Sequence, residues 1–326
     1  MANNSSSVVV SQNKPDGCFL SVADFNPYDM NRPDSVHPTW TFLATINGLA
    51  APPTIVVNAL VIWTVIMDEN LRSSAFNILL ASLAVTDFLV GLLVEPLYCL
   101  FLGCLLNKCL SPECTFTVYI LSSLACSGAT MVSFTLASAE RYLAIEHPNF
   151  YRKNITAKKV ISTTAIIWVI FLACLISASA LLNRTYPHLY KVPSAVAGSI
   201  LGMIILYCSL KVQITAYRQS RTIALQKASV QQPNDEQEQE QRLKEYKRVF
   251  MMTILVIASV LFYTPYIIVS VIKATRGTDV TSNFQYVATP ICATLIHLQS
   301  LINPIIMSLR LSYIRQGIKN KLASLV

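Results

Sequence analysis

The sequence predicts an all-α integral membrane protein built around a bundle of seven transmembrane helices, and three observations carry that prediction. Charged residues make up 13% of the 326-residue chain, while 53% are hydrophobic and the mean hydropathy is +0.50. Soluble domains carry roughly 25% charged residues. A chain with about half that share cannot cover a globular surface with polar side chains, so apolar surface must face lipid. Seven separate runs each supply the ~20 mostly apolar residues that a helix needs to cross the hydrocarbon. Basic residues gather in alternate connections between those runs, as in a chain threaded through a bilayer. The short alternating segments of a closed β-barrel are not seen. Only 9 Gly, 15 Pro without a period and no sustained heptads exclude collagen and coiled coil.

Each run has its own mark. Span one, Trp40–Ile66, carries Asn58. Span two, Ala75–Phe101, places Asp87 at mid-depth, with no Lys or Arg between Ser73 and Asn107 to pair with it. Span three, Cys114–Ala144, closes on Glu140-Arg141-Tyr142. Span four, Val160–Leu182, contains Trp168, and span five, Leu189–Ala216, contains Tyr207. Span six, Val249–Ile272, carries Phe262-Tyr263-Thr264-Pro265. Span seven, Phe284–Leu309, carries Asn303-Pro304 in its last third. Proline removes a backbone bond and kinks a helix, so bends are expected at Pro96, Pro265 and Pro304, and at Pro290 near the outer end of span seven. The polar, acidic run Gln231–Gln241 joins spans five and six and reads as a solvated extension.

Placing the first, third and fifth connections and the C-terminus in the cytosol gives that side 18 of the 25 basic residues, counting those at span ends, against 7 outside. The N-terminus is therefore expected outside and the C-terminus inside. The net charge of +8 then reflects topology, and no nucleic acid is expected as a partner. The chain divides into an extracellular tail over 1–39, the bundle over 40–309 and a cytosolic end over 310–326. The tail shows no apolar core followed by a small-residue cleavage site, so span one is expected to start insertion. Sequons at Asn3, Asn4 and Asn183 fall outside, and one at Asn154 falls inside. Cys18, Cys104, Cys109 and Cys114 lie on the oxidising side, with Cys292 near the outer end of span seven; the pairing among them stays open.

A carboxylate inside the membrane is costly and marks function by default. Asn58, Thr130, Gln299, Ser300 and Asn303 are neutral oxygen-bearing side chains at depths that match Asp87. Two readings fit the set, a small hard cation such as sodium held through oxygens or a water-filled polar core. At the end of span three, Arg141 can pair with Glu140 or with Glu245 at the start of span six. Two alternative acidic partners make a bistable latch; interfacial charge that merely snorkels is the plainer reading.

Taken together, these marks in this order resemble the rhodopsin-like (class A) G protein-coupled receptors. The resemblance spans all seven helices and rests on Asn58, Leu83-Ala-Val-Thr-Asp87, Glu140-Arg141-Tyr142, Pro148, Trp168, Tyr207, Phe262-Tyr-Thr-Pro265 and Asn303-Pro304. It implies that Leu311-Ser-Tyr-Ile-Arg315 begins a short amphipathic eighth helix. It also implies a sodium pocket of Asp87, Thr130, Gln299, Ser300 and Asn303, and no other cofactor. Glu140, Arg141, Tyr142 and Glu245 would form the latch at which a heterotrimeric G protein couples, Tyr207 would support the open state, and Tyr263 would be the toggle beneath the ligand. The chain departs from the family pattern at Tyr263 (usually Trp), Met307 (usually Tyr) and Ser199 (usually Pro). No Cys lies between Asn183 and Pro193, so the usual bridge to the second extracellular loop cannot form.

Ser123 stands where an amine receptor carries its span-three carboxylate, and His297 stands where a retinal pigment carries its lysine, so neither class is expected. His297 is similar to adenosine receptors, and the short loop without cysteine is similar to melanocortin receptors. Expected pocket residues are Glu95, Ser123, Ser127, Tyr263, Tyr266, Ser270 and His297. The expected function is a multi-pass plasma-membrane receptor that takes an extracellular small-molecule, lipid or peptide ligand, contacts membrane lipids, and activates heterotrimeric G proteins. A non-signalling decoy receptor or a transporter is the alternative. No intramembrane protease or hydrolase motif appears, so catalysis is not expected.

Overall fold

Lipid offers backbone amides no partners, so each crossing segment closes its hydrogen bonds within itself as a helix. The computed structural model describes residues 36–107, 112–185, 192–227, 236–276 and 284–323, and seven of its helices are long and apolar enough to cross a membrane. Span one is α1 (Val36–Met67), which stays helical through Pro52 and Pro53. A single turn, α2 (Glu69–Arg72), comes next and is capped by Asp68, whose carboxylate accepts from the N–H groups of Asn70 and Leu71. Span two is α3 (Ala75–Leu89), a π-helical turn over Val90–Val94, and α4 (Glu95–Leu106). Span three is α5 (Pro112–Glu146), and α6 (Pro148–Asn154) lies in the connection after it. Spans four, five and six are α7 (Ala157–Thr185), α8 (Val192–Lys227) and α9 (Glu236–Arg276). Span seven is a π-helical turn over Phe284–Ala288 and α10 (Thr289–Arg310), and α11 (Ser312–Ala323) is the eighth long element.

Differences from the expected boundaries have local causes. The acidic run before span six is helical from Glu236 onward, because Glu and Gln are good helix formers that simply prolong α9. The expected start of span five, Leu189, lies outside the described residues. Pro96 and Pro290 do not merely kink their spans; each stands just after a π turn. A proline ring collides with the carbonyl four residues earlier, and a π turn shifts the ladder by one residue so that this carbonyl is released. The Tyr286 carbonyl, four before Pro290, accepts from the Trp40 indole N–H at 2.8 Å. The Ser300 carbonyl, four before Pro304, accepts from the Asn58 amide at 3.0 Å. In both cases a proline-freed oxygen on span seven is used to dock span one.

Span three packs against spans two, four, five and six, while spans one, two and seven pack on one another. Of the apolar windows, 44% is buried in spans two, three and seven, but only 11–17% in spans four, five and six. The last three thus present large apolar side chains such as Val169 and Leu261 outward, where only lipid can cover them. Trp168 still ties span four inward, its indole N–H donating to Ser133 Oγ at 3.2 Å. Cys104 is disulfide-bonded, while Cys18 and Cys109 lie outside the described residues and Cys292 is buried and free.

After the extended link at Leu311, α11 turns back along the bundle. Its Tyr313 hydroxyl donates to Asn77 Oδ1 on span two at 2.9 Å, and Ile314 is wholly buried. Gly317 lies directly on span one, since a Cβ there would run into Thr64 Cγ2. Helix propensity alone would favour Ala over Gly by about 1 kcal/mol, whereas overpacking costs typically about 1–3 kcal/mol. Because Thr64 is itself buried, the collision wins. Gly317→Ala is therefore expected to lower the melting temperature of the purified protein, and adding Thr64→Ala to recover it; a Gly317→Ala variant that melts higher on its own would refute this docking.

Candidate functional site

The end of the bundle where span three closes holds a compact charged group. Arg141 and Glu140 are adjacent in sequence yet both turn inward, with 3% and 6% of their surface exposed. The guanidinium makes two parallel bonds to the carboxylate, Nε to Oε2 and Nη2 to Oε1, both 2.6 Å. This fork geometry is the strong form of the pair. The Tyr151 hydroxyl, from α6 in the next connection, donates to Glu140 Oε1 at 2.5 Å. Tyr142 points away, its ring 6.1 Å from that of Tyr207, and Tyr207 is 55% exposed on the outside of the bundle. The side chain of Glu245 lies outside the described residues.

Deeper in the bundle, the second group centres on Asp87, which is fully buried. Its Oδ2 accepts from the Asn303 amide at 2.9 Å. Asn58 commits its amide hydrogens to the carbonyls of Thr54 and Ser300. Gln299 gives its own to Ser259 Oγ on span six at 2.7 Å, and Thr130 donates to Thr86 Oγ1 at 3.0 Å. These commitments leave acceptors over. Among the described residues, no donor reaches Asp87 Oδ1, Asn303 Oδ1, Asn58 Oδ1 or Gln299 Oε1. One oxygen of the Asp87 carboxylate and three amide oxygens of its network, all buried and donor-poor, form an environment that favours positive charge.

A cavity runs from Asp87 toward the Trp40 end of the bundle. Its lining includes Thr130, Gln299 and Ser300 below and Ser123, Ser127, Tyr263 and His297 above. His297 is held on both ring nitrogens, Nδ1 by Asn47 Oδ1 at 2.8 Å and Nε2 by the Tyr119 hydroxyl at 3.4 Å. Tyr98 stacks edge-on against it with ring centroids 5.0 Å apart and donates to the Pro290 carbonyl. Asn47 in turn donates to Thr294. His297 therefore belongs to a buried clasp joining spans one, three and seven, and it presents its edge, not a free nitrogen, to the cavity.

Three of the expected pocket residues are not brought to this lining. Glu95 is wholly buried with Thr54 of span one beside it, because the π turn before it adds a residue and rotates α4 away from the cavity. Tyr266 and Ser270 are half-buried. They share a helix face with Tyr263 but stand roughly one and two turns beyond it, at about 1.5 Å rise per residue. The residues that sequence reasoning passed over are Tyr151, Asn47 and Tyr119. The two tyrosines carry no motif, and Asn47 is a polar residue in span one much like its neighbours, so only the folded contacts reveal them.

The family pattern described as 7 transmembrane receptor (rhodopsin family) matches residues 57–307 of the chain. Among curated relatives, 5-hydroxytryptamine receptor 1B of Didelphis virginiana is 31% identical over 150 residues, covering 46% of this chain and 37% of the relative. The 5-hydroxytryptamine receptor 2B of Dichotomyctere fluviatilis is 33% identical over 136 residues, covering 42% and 28%. A 5-hydroxytryptamine receptor of Bombyx mori is 31% identical over 133 residues, covering 40% and 29%. The chain thus matches about a third of the length of these relatives, and their names lend no support to a melanocortin or adenosine branch. With the family pattern extending over spans one to seven and through both buried groups, the chain belongs to the rhodopsin family of seven-transmembrane receptors, a family of receptors and not of enzymes.

Proposed function

We propose that the protein is a plasma-membrane receptor with its N-terminus outside, which binds an extracellular ligand in the Ser123–Tyr263 cavity and activates heterotrimeric G proteins at the Arg141 end. The observation that carries this reading is the buried Glu140–Arg141 pair with its Tyr151 clasp. A desolvated guanidinium paired with a carboxylate on its own helix is stable, and a guanidinium is the side chain best suited to exchange onto a partner's carboxylate or backbone carbonyl. Outward movement of span six would uncover it to a G protein, and the ligand supplies the free energy only through its differential affinity for the two arrangements. Glu245 would be the partner that span six contributes to the closed arrangement.

The relatives' printed ligand, 5-hydroxytryptamine, carries an ammonium group. Of the upper lining residues, Ser123, Ser127, Tyr263 and His297 include no carboxylate to receive one. The reading favoured here is a ligand held by hydroxyl hydrogen bonds and ring contacts, a neutral small molecule, lipid or peptide side chain. A ligand-library screen in cells carrying several chimeric G proteins is expected to find an agonist whose stimulated nucleotide exchange disappears in Arg141→Ala at unchanged surface expression. Exchange that survives Arg141→Ala would overturn the coupling role.

Asp87 with Thr130, Gln299, Ser300 and Asn303 would hold a sodium ion through oxygens, and the four donor-less acceptors at this depth fit a small hard cation. Bound sodium would supply charge compensation for Asp87 and favour the closed bundle. Replacing choline chloride by sodium chloride is expected to raise the melting temperature of the wild-type protein and to leave Asp87→Asn unmoved. An equal rise in both would rule the site out.

A further inference from the structure

Phe76 stands at the second position of α3, at the Arg141 end of span two, and is wholly buried. Two guanidinium groups converge on its one ring. The Arg141 Cζ atom from span three lies 4.3 Å from the ring centroid, and the Arg248 Cζ atom from span six lies 5.6 Å from it. Two like charges brought together in a poorly solvated space repel. Glu140 already neutralises Arg141, and the negative face of the aromatic ring adds an attraction for both guanidinium groups. A further contact of the same kind sits two residues along span six, where Arg310 of span seven lies 5.0 Å from the ring of Phe250. Phe250 is 42% exposed, so this outer contact is the weaker one.

We propose that Phe76 is a positioning residue that holds Arg141 inward and span six closed, by giving one buried ring to a guanidinium from each of spans three and six. The proposal rests on the coupling reading above, and it adds a clamp that needs no acidic residue of span six. Arg141 keeps its ion pair with Glu140 whether or not span six moves, since both groups ride on the same helix. The approach of Arg248 to Phe76, by contrast, exists only while span six lies against span two. The ring is also packed in one apolar cluster with Met251 and Leu255 of span six and Met307 of span seven. Losing the ring's electrostatic share therefore shifts the balance toward the open bundle even where that packing is kept.

The decisive variant keeps the shape and reverses the electrostatics. In the full-length receptor in lipid nanodiscs, without ligand, spin labels are placed at the exposed positions Lys158 of span four and Lys247 of span six. The distance distribution between them is compared for wild type, Phe76→Leu, and pentafluorophenylalanine at position 76. Both replacements are expected to enlarge the long-distance population about tenfold, and Arg248→Met to shift it in the same direction. A fluorinated ring that gives the wild-type distribution would overturn the proposal, since packing alone would then explain the site. Should Phe76→Leu fail to fold, the fluorinated ring still decides. Nucleotide exchange by Arg141→Ala reads the coupling role separately. Outward movement in the Phe76 variants without G-protein exchange in any of them would keep the clamp and remove the coupling reading.

Discussion

A hydrogen-bonding group inside the hydrocarbon must find its partner within the chain, and the interior of this bundle is organised by that requirement. The Asp87–Asn303 bond is its centre, because it joins spans two and seven at the depth where an unpaired carboxylate is most expensive. Asn58 extends the same seam to span one, and Gln299 carries it to Ser259 on span six. Among the described residues, four oxygens then remain without donors. The seam thus joins spans one, two, six and seven through side-chain hydrogen bonds while leaving part of its acceptor capacity unused.

Prolines serve the seam as much as they bend the helices. Each frees a carbonyl four residues earlier, and on span seven two of those carbonyls, Tyr286 and Ser300, are taken by side chains of span one. The π turns before Pro96 and Pro290 absorb the extra residue that this release requires. The cost of a lost backbone bond is offset by an interhelical one, so the bundle gains docking points where a regular helix would have none. The same register shift explains why Glu95 faces span one and not the cavity.

At the other end, the charges are held in layers. Glu140 and Tyr151 fix Arg141 from its own helix and the following connection, and Phe76 meets it from span two. Glu140 of the first layer rides on the same helix as Arg141. Only the approach of Arg248 to the same ring depends on where span six lies.

Much of this was legible before any fold was known. Seven apolar runs, one carboxylate without a basic neighbour, and Glu140-Arg141-Tyr142 at a span end are linear features, and hydrocarbon thickness and the cost of buried charge act on them directly. Spans and the inward set around Asp87 arise from such local constraints, whereas the eighth helix is implied by the family resemblance. What the chain alone could not reveal depends on rotation about a helix axis and on approach between distant segments. The π turn that turned Glu95 away, the clasp of Asn47 and Tyr119 on His297, and the hydroxyl of Tyr151 on Glu140 are all of this kind. No periodicity encodes them, because one added residue in a turn rotates every later side chain by about 100°, and only the packed neighbours decide whether that rotation is kept.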